Sequence, residues 1–382
     1  MGVVEQTMTG PIALVCGSWP PIKCGIGDFS HRLALELAQQ GHSIVVITDR
    51  GAATDAPAGI QVWPLIGSWT PAALLRVLDA LRRAHPCVVN LHYPTQQYGR
   101  FSLIDLLPTA IRLSLKLPVV TTIHEFTTYH RLGRWRVRNL VQSSTAAIIP
   151  DPVNRAALAA FAPAAAARLH AIPLGPAIEP HLPDGFDRGA WRAAQGLAAD
   201  TFVLAYFGFI SPSKGIDTLM DALEQLPPDG RLHLWLIADR EPSSRAYAAF
   251  HHAIAARLAR SGRAADITWT GYLPAAELSR YLAAADLAVL PYADGASLRR
   301  TTLLTALAHG LPVLSTGEQP PCPGVQVVPI GDAGALARAI VRLGQDATAR
   351  ADLAAGAQQM AATMSWPAIA AQTAALLDSY CR

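Results

Sequence analysis

At 382 residues, 51% hydrophobic and 15% charged, the chain is too long for one ordinary core and suits two domains of roughly 150 to 200 residues. Its net charge of +3 excludes the strong basic excess of a dedicated nucleic-acid binder. The opening Met1–Gly10 lacks the apolar stretch of a signal peptide, and no uncharged apolar run reaches the roughly 18 residues of a membrane span. Five scattered cysteines (Cys16, Cys24, Cys87, Cys322, Cys381), without a Cys-x-x-Cys pair, suit reduced thiols. The reading is a soluble, cytoplasmic protein.

Along the chain, short apolar runs alternate with helical stretches. Ile12–Cys16, Ile44–Ile47, Val88–Leu91, Val119–Ile123 and Ala146–Ile149 are apolar on both faces, as buried parallel strands require. Asp28–Gln40 reads as a helix on Phe29, Leu33 and Leu37, capped by Asp28 or Ser30 and stopped by Gly41. The Pro- and Gly-rich segment Pro173–Gly185 reads as a linker. The alternation then restarts, with strands at Phe202–Tyr206, His233–Ile237, Ile267–Thr270, Leu287–Leu290 and Val313–Ser315. Helices are predicted between them over Lys214–Gln225, Ser244–Arg260, Ala275–Ala285 and Thr301–His309. Two such series predict an α/β chain of two Rossmann-like domains, whose ligands lie beyond the carboxyl ends of the strands.

Four places carry candidate chemistry. The loop Gly17–Gly27 ends in Cys24-Gly25-Ile26-Gly27 before a helix, where backbone N–H groups can approach an anion. It reads as a ligand loop, a plain structural loop or a dinucleotide fingerprint with Asp49. The last is opposed by the long strand-to-helix connection and by Ser30 at the third glycine position. Lys214 in Ser213-Lys214-Gly215 can pair with a diphosphate or stand as a surface lysine. Asp294-Gly295-Ala296-Ser297-Leu298-Arg299-Arg300-Thr301-Thr302 places two arginines and two hydroxyls before a helix, a phosphate site or a solvated basic turn. His92 and His124, at strand ends, can touch a sugar or serve as core histidines. No Asp-x-Asp pair occurs, so Lys214, Arg299 and Arg300 would neutralise a leaving diphosphate with no metal and no cofactor.

Together these segments resemble glycosyltransferase family 4 along nearly the whole chain. The resemblance rests on Trp19-Pro20-Pro21…Cys24-Gly25-Ile26-Gly27-Asp28-Phe29, Gly41-His42-Ser43-Ile44-Val45-Val46-Ile47 and Pro173-Leu174-Gly175. It continues through Lys214-Gly215, Thr270-Gly271-Tyr272-Leu273, Ala306–Val313 and Ser365-Trp366. It implies a GT-B fold, two Rossmann-like domains with parallel sheets facing across a cleft. An acceptor domain would span residues 1–178 plus the helix 365–382, and a nucleotide-sugar donor domain 179–364. It implies a hexosyltransferase of polysaccharide or glycolipid biosynthesis that retains anomeric configuration, with His124 orienting the transferred sugar. The donor would be held by Gly25, Gly27, Lys214, Tyr272, Leu273, Asp294, Arg299, Arg300, Thr301 and Thr302.

Two departures stand out. The family's paired glutamates fall here on Ser297 and Thr305, both neutral, and an arginine before the Lys-Gly is Phe209. The expectation is a divergent subgroup in which Asp294, Arg299 and Arg300 replace the lost groups, with Ser297 and Thr305 kept among the donor contacts. A nucleotide-sugar epimerase and a non-catalytic sugar-binding or partner subunit are the alternatives. The acceptor (glycan, lipid or small molecule) is open. Arg131, Arg134, Arg136 and Arg138 form a basic segment that is either a solvated helix face or a peripheral contact with the inner membrane.

Overall fold

The computed structural model describes residues 10–22, 24–93, 98, 102–227, 231–242 and 245–381. The start of the Met1–Gly10 segment, together with Pro94 and Ser244, lies outside them. The chain forms two compact units, one running to Gly175 and resuming at Trp366, the other spanning Pro176–Ser365.

In the first unit the strands are β1 (Ile12–Val15), β2 (Ile44–Asp49), β3 (Ile60–Ile66), β4 (Val88–Tyr93), β5 (Val119–Ile123), β6 (Ala146–Ile148) and β7 (Leu169–His170). They lie in the order β3-β2-β1-β4-β5-β6-β7, every pairing parallel. The first helices are α1 (Gly25–Gln39), α2 (Pro71–Ala84), α3 (Leu107–Ser114), α4 (Arg131–Ser143) and α5 (Pro152–Phe161). Burial on both faces explains the continuous Val/Ile runs. Val77, Leu81, Leu107, Val137 and Leu158 pack one face, while Leu33 and Leu37 of α1 pack the other.

The second unit carries β8 (Phe202–Phe207), β9 (Leu232–Ile237), β10 (Ile267–Trp269), β11 (Leu287–Leu290), β12 (Val313–Thr316) and β13 (Val325–Val328). Their order, β10-β9-β8-β11-β12-β13, is again parallel. Helices α6 (Arg188–Ala194), α7 (Ile216–Glu224), α8 (Ala248–Arg260), α9 (Ala275–Ala284), α10 (Thr301–Ala308), α11 (Ala333–Gln345) and α12 (Ala347–Thr363) connect and follow them. The last helix, α13 (Trp366–Asp378), returns to the first unit, where Trp366, Ile369, Ala370 and Leu377 complete the core under α1. A side chain on Gly175 would put its Cβ 2.5 Å from the Trp366 ring, so the glycine admits that tryptophan. Among the described residues no helix is long and apolar enough to cross a membrane.

The structure corrects several local expectations. Helix α1 starts three residues early, at Gly25, with Cys24 as N-cap. Asp28 therefore lies inside the first turn, and the Ser30 hydroxyl is 2.8 Å from the Ile26 carbonyl. Lys214 precedes its helix: Pro212–Lys214 is a 3₁₀ turn, and α7 begins after a left-handed Gly215. Strands β3, β7 and β13 were not expected, since they are short or part-exposed and broken by residues such as Gln61 and Pro64. The cysteines are not all thiols: Cys87 and Cys381 form a disulfide, with a Cα–Cα distance of 4.8 Å. Packing α13 beside the start of β4 brings together residues 294 positions apart.

The second unit is also fastened by one half-buried carboxylate. Asp286, at the start of β11, accepts from Arg192 (2.5 Å), Arg188 (2.5 Å) and the Val203 N–H (2.8 Å). Replacing Asp286 with alanine leaves Arg192, 8% exposed, without its counter-charge. The expected loss is about 3–5 kcal/mol, read as a lower urea midpoint for the unfolding of this unit.

Candidate active site

In each unit the strand order reverses beside the first strand, between β1 and β4 and between β8 and β11. Connections diverging from such a point leave a crevice at the carboxyl ends of the strands. Most of the sequence candidates collect at these two places, Tyr272 and Leu273 being the exceptions.

In the first unit, β1 ends at Val15 and α1 begins at Gly25, so no tight strand-to-helix turn supports the dinucleotide reading. Asp49 accepts from the Gly51 N–H at 2.9 Å. The two glycines of the loop differ. A Cβ on Gly27 would lie 2.8 Å from Ser18 Oγ, whereas one on Gly25 would meet nothing within 4 Å. Gly27 is thus fixed by packing, while Gly25 leaves open space at a helix N-terminus.

Phe29, one turn into α1, joins this loop to both histidines, its ring centroid 5.3 Å from His124 and 5.6 Å from His92. The two histidines have separate roles. Asn90 donates its amide to the Val120 carbonyl (3.1 Å) and to Thr122 (3.2 Å), which leaves its oxygen to accept from His92 Nε2–H at 2.8 Å. His92 Nδ1 then accepts from Ser30, 2.7 Å away. With no exposed surface and both nitrogens engaged, His92 is a core histidine that ties α1 to β4. His124, at the end of β5, is 6% exposed, and its Nε2 has no partner among the described residues. Burial pushes its pKa down to about 4, so the ring is neutral at neutral pH. An unmatched buried nitrogen costs about 1–3 kcal/mol, a cost that a ligand hydroxyl would remove.

The second unit gathers cations. Gly215 adopts φ +65°, and a Cβ there would sit 1.7 Å from the Pro291 carbonyl oxygen. Only glycine allows the connection after β8 to touch the end of β11, and this contact sets Lys214 over the ring of Tyr292. The Lys214 ammonium is 5.4 Å from the Tyr292 centroid and the Arg300 guanidinium 4.7 Å. Tyr292, 1% exposed, shares a 2.7 Å hydrogen bond with Thr302, to which Lys214 donates at 3.5 Å.

Arg299 donates to Asp294 at 2.9 Å, and Arg300 pairs with the other oxygen of the same carboxylate. Two arginines therefore share one carboxylate, with Lys214 beside them over the same Tyr292 ring. The arginine side chains are only 16% and 14% exposed, against 45% for Asp294. Burial, and then Arg300, push the Lys214 pKa down to about 8, opposed by Asp294. Arg300 occupies the N-cap of α10 without a side-chain cap, which adds the helix dipole and the amides of the first turn, beginning with Thr301. The arrangement gathers three cationic side chains, the arginines largely buried, at one helix N-terminus.

Other predicted residues stand differently. Ser297 accepts from Arg299 at 3.1 Å and so orients that arginine. Thr305 is 1% exposed and accepts from the N–H groups of Ala177 (3.1 Å) and Ile178 (3.4 Å), which anchors the linker. Tyr272, 77% exposed, and the half-buried Leu273 follow β10, two strands from β8 and apart from the cluster. Sequence reasoning missed Tyr292, the floor beneath two cations; its place directly after a strand at the switch point was the available signal.

Comparison with known proteins adds the following. Residues 24–178 match the family model described as Glycosyltransferase Family 4, and residues 201–346 the model described as Glycosyl transferases group 1. Comparison with curated proteins finds no match. The structure is similar to sucrose-phosphate synthase from Thermosynechococcus elongatus, with TM-score 0.79 at 20% identity over 97% of this chain and 98% of that one. It is similar to Anabaena HepE in complex with UDP and glucose, with TM-score 0.73 at 16% identity over 97% and 100%. WaaG, a glycosyltransferase involved in lipopolysaccharide biosynthesis, gives TM-score 0.65 at 18% identity over 96% and 99%.

The lowered Lys214 pKa makes anion binding depend on pH. Below about 8 the lysine is a cation; above that it must take up a proton to pair, so affinity falls as pH rises. Sulfate, whose own charge is fixed in this range, should bind up to about tenfold more weakly per unit above that pH. Lys214→Met should flatten the profile, as measured by the sulfate dependence of thermal unfolding.

Proposed function

The chain is a glycosyltransferase of the GT-B type, with a Glycosyltransferase Family 4 domain at residues 24–178 and a group 1 domain at 201–346, and we propose that it moves a hexose from a nucleotide diphosphate sugar to an acceptor hydroxyl. The observation that carries this is the excess of cations about Tyr292. Lys214 and Arg300 share the Tyr292 ring and Arg299 and Arg300 share the exposed carboxylate of Asp294, a cluster of three cationic side chains of the charge and spacing that a diphosphate suits.

Arg299 and Arg300 offer planar forks to the phosphate oxygens and Lys214 a point charge. Thr301, Thr302 and the first turn of α10 add hydrogen bonds. Cleavage of the bond between the anomeric carbon and the phosphate oxygen leaves its electron pair on the diphosphate. The cations stabilise that charge where it develops. In this reading no metal is required, because side-chain cations do its electrostatic work.

His124 orients the sugar through its neutral ring, and Gly25 leaves space for backbone contact. The configuration is retained, with the departing diphosphate taking the acceptor's proton. Asp294 holds the arginines in place until the diphosphate displaces it, after which it is available to a sugar hydroxyl. UDP is the first nucleotide to test, since HepE is described in complex with UDP and with UDP-glucose. The acceptor is a glycan, lipid or small molecule, and a peripheral membrane contact through the basic helix α4 belongs to the same reading.

The test is a panel of UDP-, GDP-, ADP- and dTDP-sugars, scored by thermal shift and by sugar release. One nucleotide should raise the melting temperature and support slow hydrolysis. Lys214→Ala, and separately Arg299→Ala, should lower kcat/KM by about 100-fold, roughly 3 kcal/mol of lost transition-state stabilisation. Unchanged turnover in both would refute the phosphate assignment. Binding without turnover would favour a non-catalytic partner subunit, a reading supported by the local duties of Ser297 and Thr305. Isomerised donor without acceptor would indicate an epimerase.

A further inference from the structure

Among the described residues, helix α4 has an exposed face. Gly133, Val137, Leu140 and Val141 are buried, while Leu132 is 65% and Trp135 58% exposed on the other side. Arg131 is exposed and Arg138 half-buried beside them. The salt bridge from Arg136 to Asp105, 2.6 Å long, ties α4 to the turn Ile104–Leu106, which presents Leu103 and Leu106 at 42% and 40% exposure. Between positions 102 and 143 the sequence has six Arg or Lys and two acids, Asp105 and Glu125. Asp105 is already neutralised by Arg136.

An exposed tryptophan and leucines rimmed by arginine match one environment well. Apolar tips enter the boundary between headgroups and acyl chains while guanidinium groups stay at the anionic headgroups. A second copy docking through the same face would bring arginine against arginine, which disfavours self-association. A nucleic acid would leave the apolar centre without a partner.

We infer that α4, with the turn at Leu103–Leu106, is a docking surface for an anionic lipid bilayer. The helix follows β5, so the surface lies at the carboxyl end of the first unit's sheet, the end that also holds His124. The docking rests on this geometry. That it brings the enzyme to an acceptor hydroxyl carried at the membrane surface rests on the glycosyl-transfer reading above.

The experiment is co-sedimentation of the full chain with vesicles of phosphatidylcholine, with or without phosphatidylglycerol. Binding is expected only with the anionic lipid. It should be lost on going from about 0.1 M to about 1 M salt, as the screening length falls from about 10 Å to about 3 Å. Leu132→Ser with Trp135→Ser, and separately Arg131→Gln with Arg138→Gln, should each weaken binding by about tenfold or more. Both variants should keep the melting temperature and the donor-nucleotide shift, so failure here is separable from failure of the transfer reading. Equal binding to neutral vesicles, no binding at all, or unaffected variants would overturn the proposal. So would concentration-dependent self-association that the same substitutions abolish.

Discussion

The contact between Gly215 and the carbonyl of Pro291 is the constraint on which the cation cluster of the second unit depends. Parallel strands β8 and β11 are neighbours, but their connections leave in opposite directions along the sheet. A site forms between them only if the two chain segments come within touching distance. A residue with a Cβ cannot be accommodated there, and φ +65° is unfavourable for one in any case. Given glycine, the lysine before it and the arginines of the other connection share one aromatic floor. The geometry is set by backbone packing, which is more rigid than the long side chains it places.

Crowding three cations together opposes folding, since each desolvates its neighbours and repels them. Asp294 and the Tyr292 ring offset part of this, the first by charge and the second by its negative face. Lys214 shows what is left, holding its proton less firmly than a lysine in water. In the reading proposed above, a bound anion relieves this crowding. The first unit presents a smaller case of the same kind in the His124 ring nitrogen that finds no internal partner among the described residues. Ser30 and Asn90, by contrast, engage both ring nitrogens of His92, and the three act as a fastening.

Much of the fold was legible because buried parallel strands advertise themselves as runs apolar on both faces, as in β1, β2, β5 and β11. The strands that escaped notice carry no such mark; β3 alternates exposed Gln61 with buried neighbours and contains Pro64. The cation cluster was legible as composition, lysine before glycine and two arginines before a helix. Its depth was not, because the approach to Pro291 and the role of Tyr292 are tertiary facts. Thr305 reads as a donor contact by alignment, yet its hydroxyl is engaged by backbone of the linker. No local pattern could have paired Cys87 with Cys381 across 294 positions.

Helix α13 lies at the end of the sequence but belongs to the first unit, and Gly175 and Trp366, the two residues where the chain crosses between units, touch each other. The second unit is therefore an insertion that leaves and re-enters the first at one place. On the ribosome this fixes an order of maturation. The second unit has all of its residues before the final helix emerges, whereas the sheet bearing His124 waits with an uncovered apolar face for Trp366, Ile369 and Leu377. The nascent first unit thus keeps that face open until residues 366–377 have been made, and a ribosome stalled short of that helix leaves the second unit attached to an unfinished first one.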